Sequence, residues 1–109
     1  MPGTLIVSLD FELFWGMLDV CPLEDYQAHV LGGRKAIPQL LELFQKYGIH
    51  ATWAAVGFLF ADSKAELAKF CPAEKLAYDN PKIAPYEYLA GVGENEKAAP
   101  CFFAPSLLQ

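Results

Sequence analysis

Residues 5–14 read Leu5-Ile6-Val7-Ser8-Leu9-Asp10-Phe11-Glu12-Leu13-Phe14, and this stretch decides how the chain folds. Its length and its apolar content are typical of a β-strand, which we predict over residues 4–14. Successive side chains of a strand point to opposite faces, so one face is wholly apolar. The other face, with Asp10 and Glu12, becomes polar toward the C-terminal end. Burying two carboxylates is costly unless a cation, a metal or hydrogen bonds compensate them, so this is a candidate active-site strand.

A helix is predicted over Arg34–Tyr47, because apolar residues recur there with helical spacing. Gly48 supplies its C-terminal stop. In this interpretation Gly32-Gly33 starts the helix, and Pro38 is tolerated because it lies in the first turn. The apolar stripe consists of Ile37, Leu40, Leu41 and Phe44.

The connection before this helix is predicted to be long, over residues 15–32, with at most a short helical piece at Leu23–Val30. A second strand is predicted over His50–Gly57. A strand, a helix and a strand make one βαβ unit, which predicts parallel pairing through a right-handed crossover. The fold class is therefore α/β.

The second half of the chain has a weaker pattern. Ser63 and Glu66 have the spacing of a capping box, which predicts a short helix over Lys64–Phe70. Residues 71–109 are interrupted by five prolines and are predicted to be irregular, with one helical turn near Tyr86–Leu89. So long an irregular stretch is unusual in a self-contained domain.

Composition excludes several classes of protein. The chain has 109 residues, which allows one modest domain, and its net charge of −5 is spread without a basic stripe, so we expect no nucleic-acid partner. No apolar run approaches membrane-spanning length and no secretory signal pattern is present, so we expect a cytoplasmic protein without a membrane partner. The composition is 54% hydrophobic, which is rich for so short a chain. The three cysteines lack metal-binding spacing and are interpreted as free buried thiols rather than redox groups.

The acid pair has two open interpretations. Asp10 and Glu12 project from one strand face at its C-terminal end, where a metal or a polarised water could lie between them. Alternatively, they are a solvated strand end or a cap of the next turn. Trp15 either lines a pocket for a sugar or another ring, or fills the core, whereas Trp53 is interpreted as core. His29, His50 and Arg34 are interpreted as turn or surface residues rather than ligands.

Two segments resemble the polysaccharide deacetylases, the NodB-homology or carbohydrate esterase family 4 group. Ser8-Leu9-Asp10-Phe11-Glu12 is similar to the first motif of that family. Gly48–Gly57 is similar to its second strand, usually written G-x-x-A-T-F-F-V-x-G. The resemblance covers residues 4–60.

This resemblance implies the N-terminal part of a distorted (β/α) barrel with parallel strands and crossover helices. It also implies hydrolysis of an N-acetyl group from an amino sugar or polysaccharide with a divalent metal, usually zinc. Asp10 takes the place of the general base and Glu12 that of a metal ligand. Trp15 is the candidate substrate contact.

The family takes its other two metal ligands from an H-[ST]-x-x-H motif, which this sequence lacks. We therefore expect residues 1–109 to be an incomplete N-terminal portion of the domain, inactive alone and with weak or no metal binding. The alternative is a non-catalytic interaction domain that associates with itself through an open sheet edge, as a homo-oligomer.

Overall fold

The computed structural model describes residues 1–108 and contains a parallel sheet at its N-terminal end. Strand β1 spans Val7–Phe11 and strand β2 spans Ala51–Ala55. They pair in parallel, with Val7 opposite Ala51 and Phe11 opposite Ala55. The predicted α/β class and parallel pairing are confirmed. Within the described residues the sheet has two strands, so the barrel stays a prediction.

Helix α1 spans Leu23–Tyr47 and crosses from one strand to the other. The prediction that it begins at Arg34 was wrong, because the helix runs without a break through Gly32-Gly33. Pro38 lies in the helix interior, not in its first turn. Each interior glycine costs about 1 kcal/mol relative to alanine. Packing of α1 against Leu13–Met17, the segment that follows β1, offsets that cost, and Val30 of α1 is buried.

The end of α1 and the next helix follow the local signals. Gly48 ends α1 with φ +62, a left-handed conformation that glycine adopts without a Cβ penalty. Helix α2 spans Lys64–Phe70, as predicted. The Ser63 hydroxyl accepts a hydrogen bond from the Glu66 N–H at 3.2 Å. The Glu66 carboxylate accepts one from the Asp62 N–H at 2.6 Å, so two side-chain hydrogen bonds cap the N-terminus of α2.

Short helices complete the described chain. Most are 3-10 helices, and one contains the predicted turn at Tyr86–Leu89. The 3-10 helices are Leu13–Met17, Gly57–Phe60, Pro81–Ile83 and Pro85–Gly91, and the last α-helical turn, α3, is Pro105–Leu108. No helix in the described part of the chain combines the length and the apolar character that a membrane crossing requires.

The core lies beyond the C-terminal ends of the two strands. Phe14 and Trp15 follow β1, and Leu59 follows β2, and all three are buried there. Residues 99 and 101–105, from the segment predicted to be loose, are buried against them. The irregular backbone was therefore predicted correctly for much of residues 71–108, but its burial was not.

Only one face of the sheet is covered by other parts of the chain. Leu9, Phe11 and Trp53 point toward α1 and are at least partly buried. On the opposite face Ser8 and Thr52 are exposed, together with Asp10 and Ala54. A two-stranded sheet with one helix can bury only one face, so the other is left to solvent.

Candidate functional site

The acid pair lies where the chain leaves β1. Asp10 is on the bare face of the strand, Glu12 is the first residue after it, and both are exposed. Among residues 1–108 neither carboxylate takes part in an ion pair or a side-chain hydrogen bond. Because both are solvated, they need no buried partner, and the cost of burying charge does not arise. The two carboxylates are therefore accessible to a ligand.

The turn that follows the acid pair is conformationally strained. Leu13 has φ +50, and a left-handed conformation is costly for a residue with a Cβ. The Trp15 N–H donates to the Glu12 carbonyl at 3.1 Å and closes the turn. The Glu12 carboxylate folds over Gly16, where a Cβ would collide with it. Strain of this kind is concentrated at functional sites, so the turn is an independent observation beside the acid pair.

A cleft of about 300 Å³ opens between β1 and α1, beside the acid pair. Its polar lining includes Glu12, which follows the strand, and Tyr26 and His29 from the helix. Asp10 adjoins the cleft from the strand, but its side chain lies on the opposite, bare face of the sheet. The rings of Tyr26 and His29 lie with their centroids 5.0 Å apart. The apolar lining includes Phe11, Val30, Ile37, Leu40 and Trp53.

The sequence interpretation missed this contribution of α1. His29 was placed in the predicted connection of residues 15–32, at most in a short helical piece, because the long helix was predicted to begin at Arg34. The signal was present, since Tyr26 and His29 are three positions apart and share one helical face. His50 is exposed just before β2, in agreement with the turn position predicted for it.

The described residues do not form a complete metal site. No three side chains of His, Cys, Asp and Glu come together in residues 1–108 as a group that could hold a metal ion. Catalytic zinc is generally held by three protein ligands. Asp10 and Glu12 can supply carboxylate oxygens, but a zinc site needs donors beyond this pair.

Trp15 lies in the core, the second of its two interpretations. Trp15 is only 8% exposed, and its indole N–H donates to the Phe102 carbonyl at 2.9 Å. Its ring lies 4.9 Å from that of Phe58 and 5.3 Å from that of Phe102. Its role as a substrate contact stays a prediction, although the face available to a substrate is small.

Arg34 is not the surface residue that was predicted. Its guanidinium donates to the Pro100 carbonyl at 3.1 Å and to the Phe103 carbonyl at 2.7 Å, and it pairs with the Glu96 carboxylate. Partial burial raises the pKa of the Glu96 carboxyl, but hydrogen bonds from Ser106 and Arg34 outweigh it and lower the pKa below its ordinary value. This cluster is structural, because its polar groups bind one another.

Of the three cysteines predicted to be buried, Cys101 is buried, whereas the other two are only half-buried. Cys21, Cys71 and Cys101 are all free thiols. Burial raises the pKa of the Cys101 thiol and outweighs the opposing effect of the Arg34 charge. The raised pKa favours the protonated thiol, which is less nucleophilic than the thiolate.

Comparison with protein-family models, with curated proteins and with solved structures gives no match to this chain. The likeness to the polysaccharide deacetylases therefore rests on the two motifs in residues 4–60. The geometry of the acid pair and of the turn after it is the other source of evidence on function.

Proposed function

We propose that residues 1–109 carry the acidic part of a hydrolytic site, of the kind that metal-dependent enzymes use to remove N-acetyl groups from amino sugars. The observation that carries this proposal is the accessibility of Asp10 and Glu12. Both are exposed at the C-terminal end of a parallel strand, and among the described residues neither is paired. The strained turn at Leu13 supports it.

In this proposal Asp10 is the general base and Glu12 is an oxygen donor to a divalent cation, zinc by resemblance. The oxygens of an accessible carboxylate can accept a proton or coordinate a divalent cation. The remaining donors would come from polypeptide outside the described residues. The bare sheet face supports a larger sheet or barrel, because parallel strands are usually covered on both faces.

The substrate class comes from the resemblance, and the cleft supports it. Aromatic rings beside a polar group are suited to binding the apolar face of a sugar, and Tyr26 and His29 lie on the cleft with Glu12. We propose the cytoplasm as the compartment, since the three cysteines are free, as is typical of a reducing environment.

The first test is cation binding by the chain itself. We expect weak binding of Zn²⁺ in calorimetry, and its loss in the double variant Asp10→Asn/Glu12→Gln. The matched control is Asp19→Asn, which removes an exposed acid elsewhere and should leave binding unchanged. Equal binding by all three proteins would contradict the role of the acid pair.

The second test is activity in a gene product that contains both residues 1–109 and a His-[Ser/Thr]-x-x-His segment, which in this proposal supplies the missing metal ligands. That product should release acetate from oligomers of N-acetylglucosamine, and Asp10→Asn should lower kcat by about 100-fold or more. A longer product that keeps its rate with Asn at position 10 would refute the assignment of the base.

A second candidate function is self-association through the sheet edge. Both strands of the described sheet are edge strands, and Leu5 and Ile6, just before β1, are 89% and 79% exposed. An interaction domain would pair these edges between copies. Sedimentation equilibrium decides this question, since a monomer at all concentrations would exclude it.

A further inference from the structure

Residues 95–106, which we call the strap, are held by two elements far away in sequence. From α1, Arg34 donates to the carbonyls of Pro100 and Phe103. The two carbonyls between them, of Cys101 and Phe102, are bound by the 3-10 helix that follows the acid pair.

That second attachment uses one backbone and one side-chain donor. The Phe14 N–H donates to the Cys101 carbonyl at 3.1 Å. The Trp15 indole N–H donates to the Phe102 carbonyl at 2.9 Å. Of these four consecutive carbonyls, Arg34 binds the outer two and the 3-10 helix binds the inner two, so the strap connects α1 to the 3-10 helix.

The two ends of the strap are tied together at Glu96, which also pairs with Arg34. Arg34 pairs with the carboxylate of Glu96, near the start of the strap. The N–H and the hydroxyl of Ser106, at its end, both donate to that carboxylate. Charge-assisted bonds of this kind are stronger than neutral ones, so Arg34 is the anchor of the strap.

The strap meets the acid pair through the strained turn. Phe14 and Trp15 come directly after Leu13, whose left-handed backbone sets the direction in which the chain leaves Glu12. The same turn brings the Glu12 carboxylate over Gly16. A left-handed leucine persists only where its surroundings hold it, and the strap supplies two of the hydrogen bonds that do so.

We propose that Arg34 is a positioning residue for the acid pair, and that it acts through the strap to fix the Leu13 turn and thereby the direction of the Glu12 carboxylate. Arg34 itself does not touch the acid pair. Its connection to a hydrolytic site rests on the proposed function, whereas its effect on the turn does not.

The test compares Arg34→Gln with Lys35→Gln, which removes the neighbouring exposed cation of α1. In the folded Arg34→Gln protein we expect the nuclear Overhauser contact between Glu12 and Gly16 to weaken or vanish. We also expect the Trp15 indole proton to exchange about tenfold faster, because its acceptor is released. Lys35→Gln should change neither readout, and Arg34→Lys should restore them in part. A purely structural role would lower stability but leave the Glu12–Gly16 contact in the folded protein as it is.

Unchanged contact and exchange in folded Arg34→Gln would overturn the proposal. If that variant does not fold, Arg34→Lys and Ser106→Ala are measured instead, and unchanged readouts in both would overturn it equally. Co²⁺ affinity, followed in the same proteins, should fall about tenfold in Arg34→Gln. A wild-type chain that binds no Co²⁺ would count against the proposed function, while the two magnetic-resonance readouts would still decide the role of Arg34.

Discussion

The strand–helix–strand unit of residues 7–55 and the segment of residues 92–105 place their apolar side chains in opposite ways. The first has regular hydrogen bonding, yet it leaves one sheet face bare. The second has hardly any regular structure, yet Phe103 and Ala104 in it are 0% exposed. Regular secondary structure and contribution to the core are therefore separate properties in this chain.

The reason for the difference is geometric. A helix and two strands make only one buried layer, so few of their side chains can be enclosed. The segment instead lies across the ends of the strands, where residues following both strands meet it. Donors from other elements, including Arg34 and Trp15, bind its backbone carbonyls there. The irregular segment can therefore be buried without the free-energy cost of unpaired backbone groups.

The largest loss of stability is expected for Phe103→Ala. Phe103 is fully buried, and removing its ring leaves a cavity among Leu59 and its neighbours. We expect the free energy of unfolding to fall by about 3–5 kcal/mol in urea denaturation. For a small domain that loss is a large part of the total stability.

The control is Leu5→Ala, in the exposed segment just before β1. Leu5 is 89% exposed, so we expect a change within about 0.5 kcal/mol. If the two substitutions cost the same, the segment would not be the main part of the core.

A smaller effect is expected for Trp15→Phe, which keeps a ring in the core but removes the indole N–H. The carbonyl of Phe102 then loses its donor in a buried place. We expect a loss of about 1–3 kcal/mol in the free energy of unfolding. Trp53→Phe serves as the control, because Trp53 packs edge-on against Phe11 through its rings and lies on the half-buried sheet face. An equal loss in both variants would show that the ring volume matters and the hydrogen bond does not.

The regular half was largely predictable from local signals. The alternation in residues 5–14 identifies β1, the Ser63 cap identifies α2, and Gly48 identifies the end of α1. The N-terminal half of α1 was not predictable in the same way. Gly32-Gly33 has a low helix propensity, which the tertiary packing of α1 against Leu13–Met17 offsets.

The segment of residues 92–105 could not be predicted, because nothing local specifies its burial. Its side chains follow no helical or strand period, and its hydrogen bonds join residues far apart in sequence. Trp15 and Phe102, for example, are separated by 87 positions. For the candidate site, the position of the acid pair at a strand end followed from the sequence, but the strained turn and the contribution of His29 depend on tertiary structure.

The finest distinction between the two regions is their response to acid. The Glu96 carboxyl ties the two ends of the strap together, and its pKa in the folded protein lies below the ordinary value of 4.5. A depressed pKa stabilises the folded state above the pKa of the unfolded chain, and this contribution is lost as the pH falls through the lower folded value. Glu96→Gln should therefore cost about 1 kcal/mol at neutral pH, and the difference from wild type should shrink as the pH falls and vanish once the pH has passed below the lowered folded pKa. Glu42→Gln, which removes an exposed carboxylate of α1, is the control and should leave the free energy of unfolding at neutral pH unchanged in urea denaturation. A Glu96→Gln protein as stable as wild type at neutral pH would show that the strap is held by its apolar contacts and by Arg34 alone.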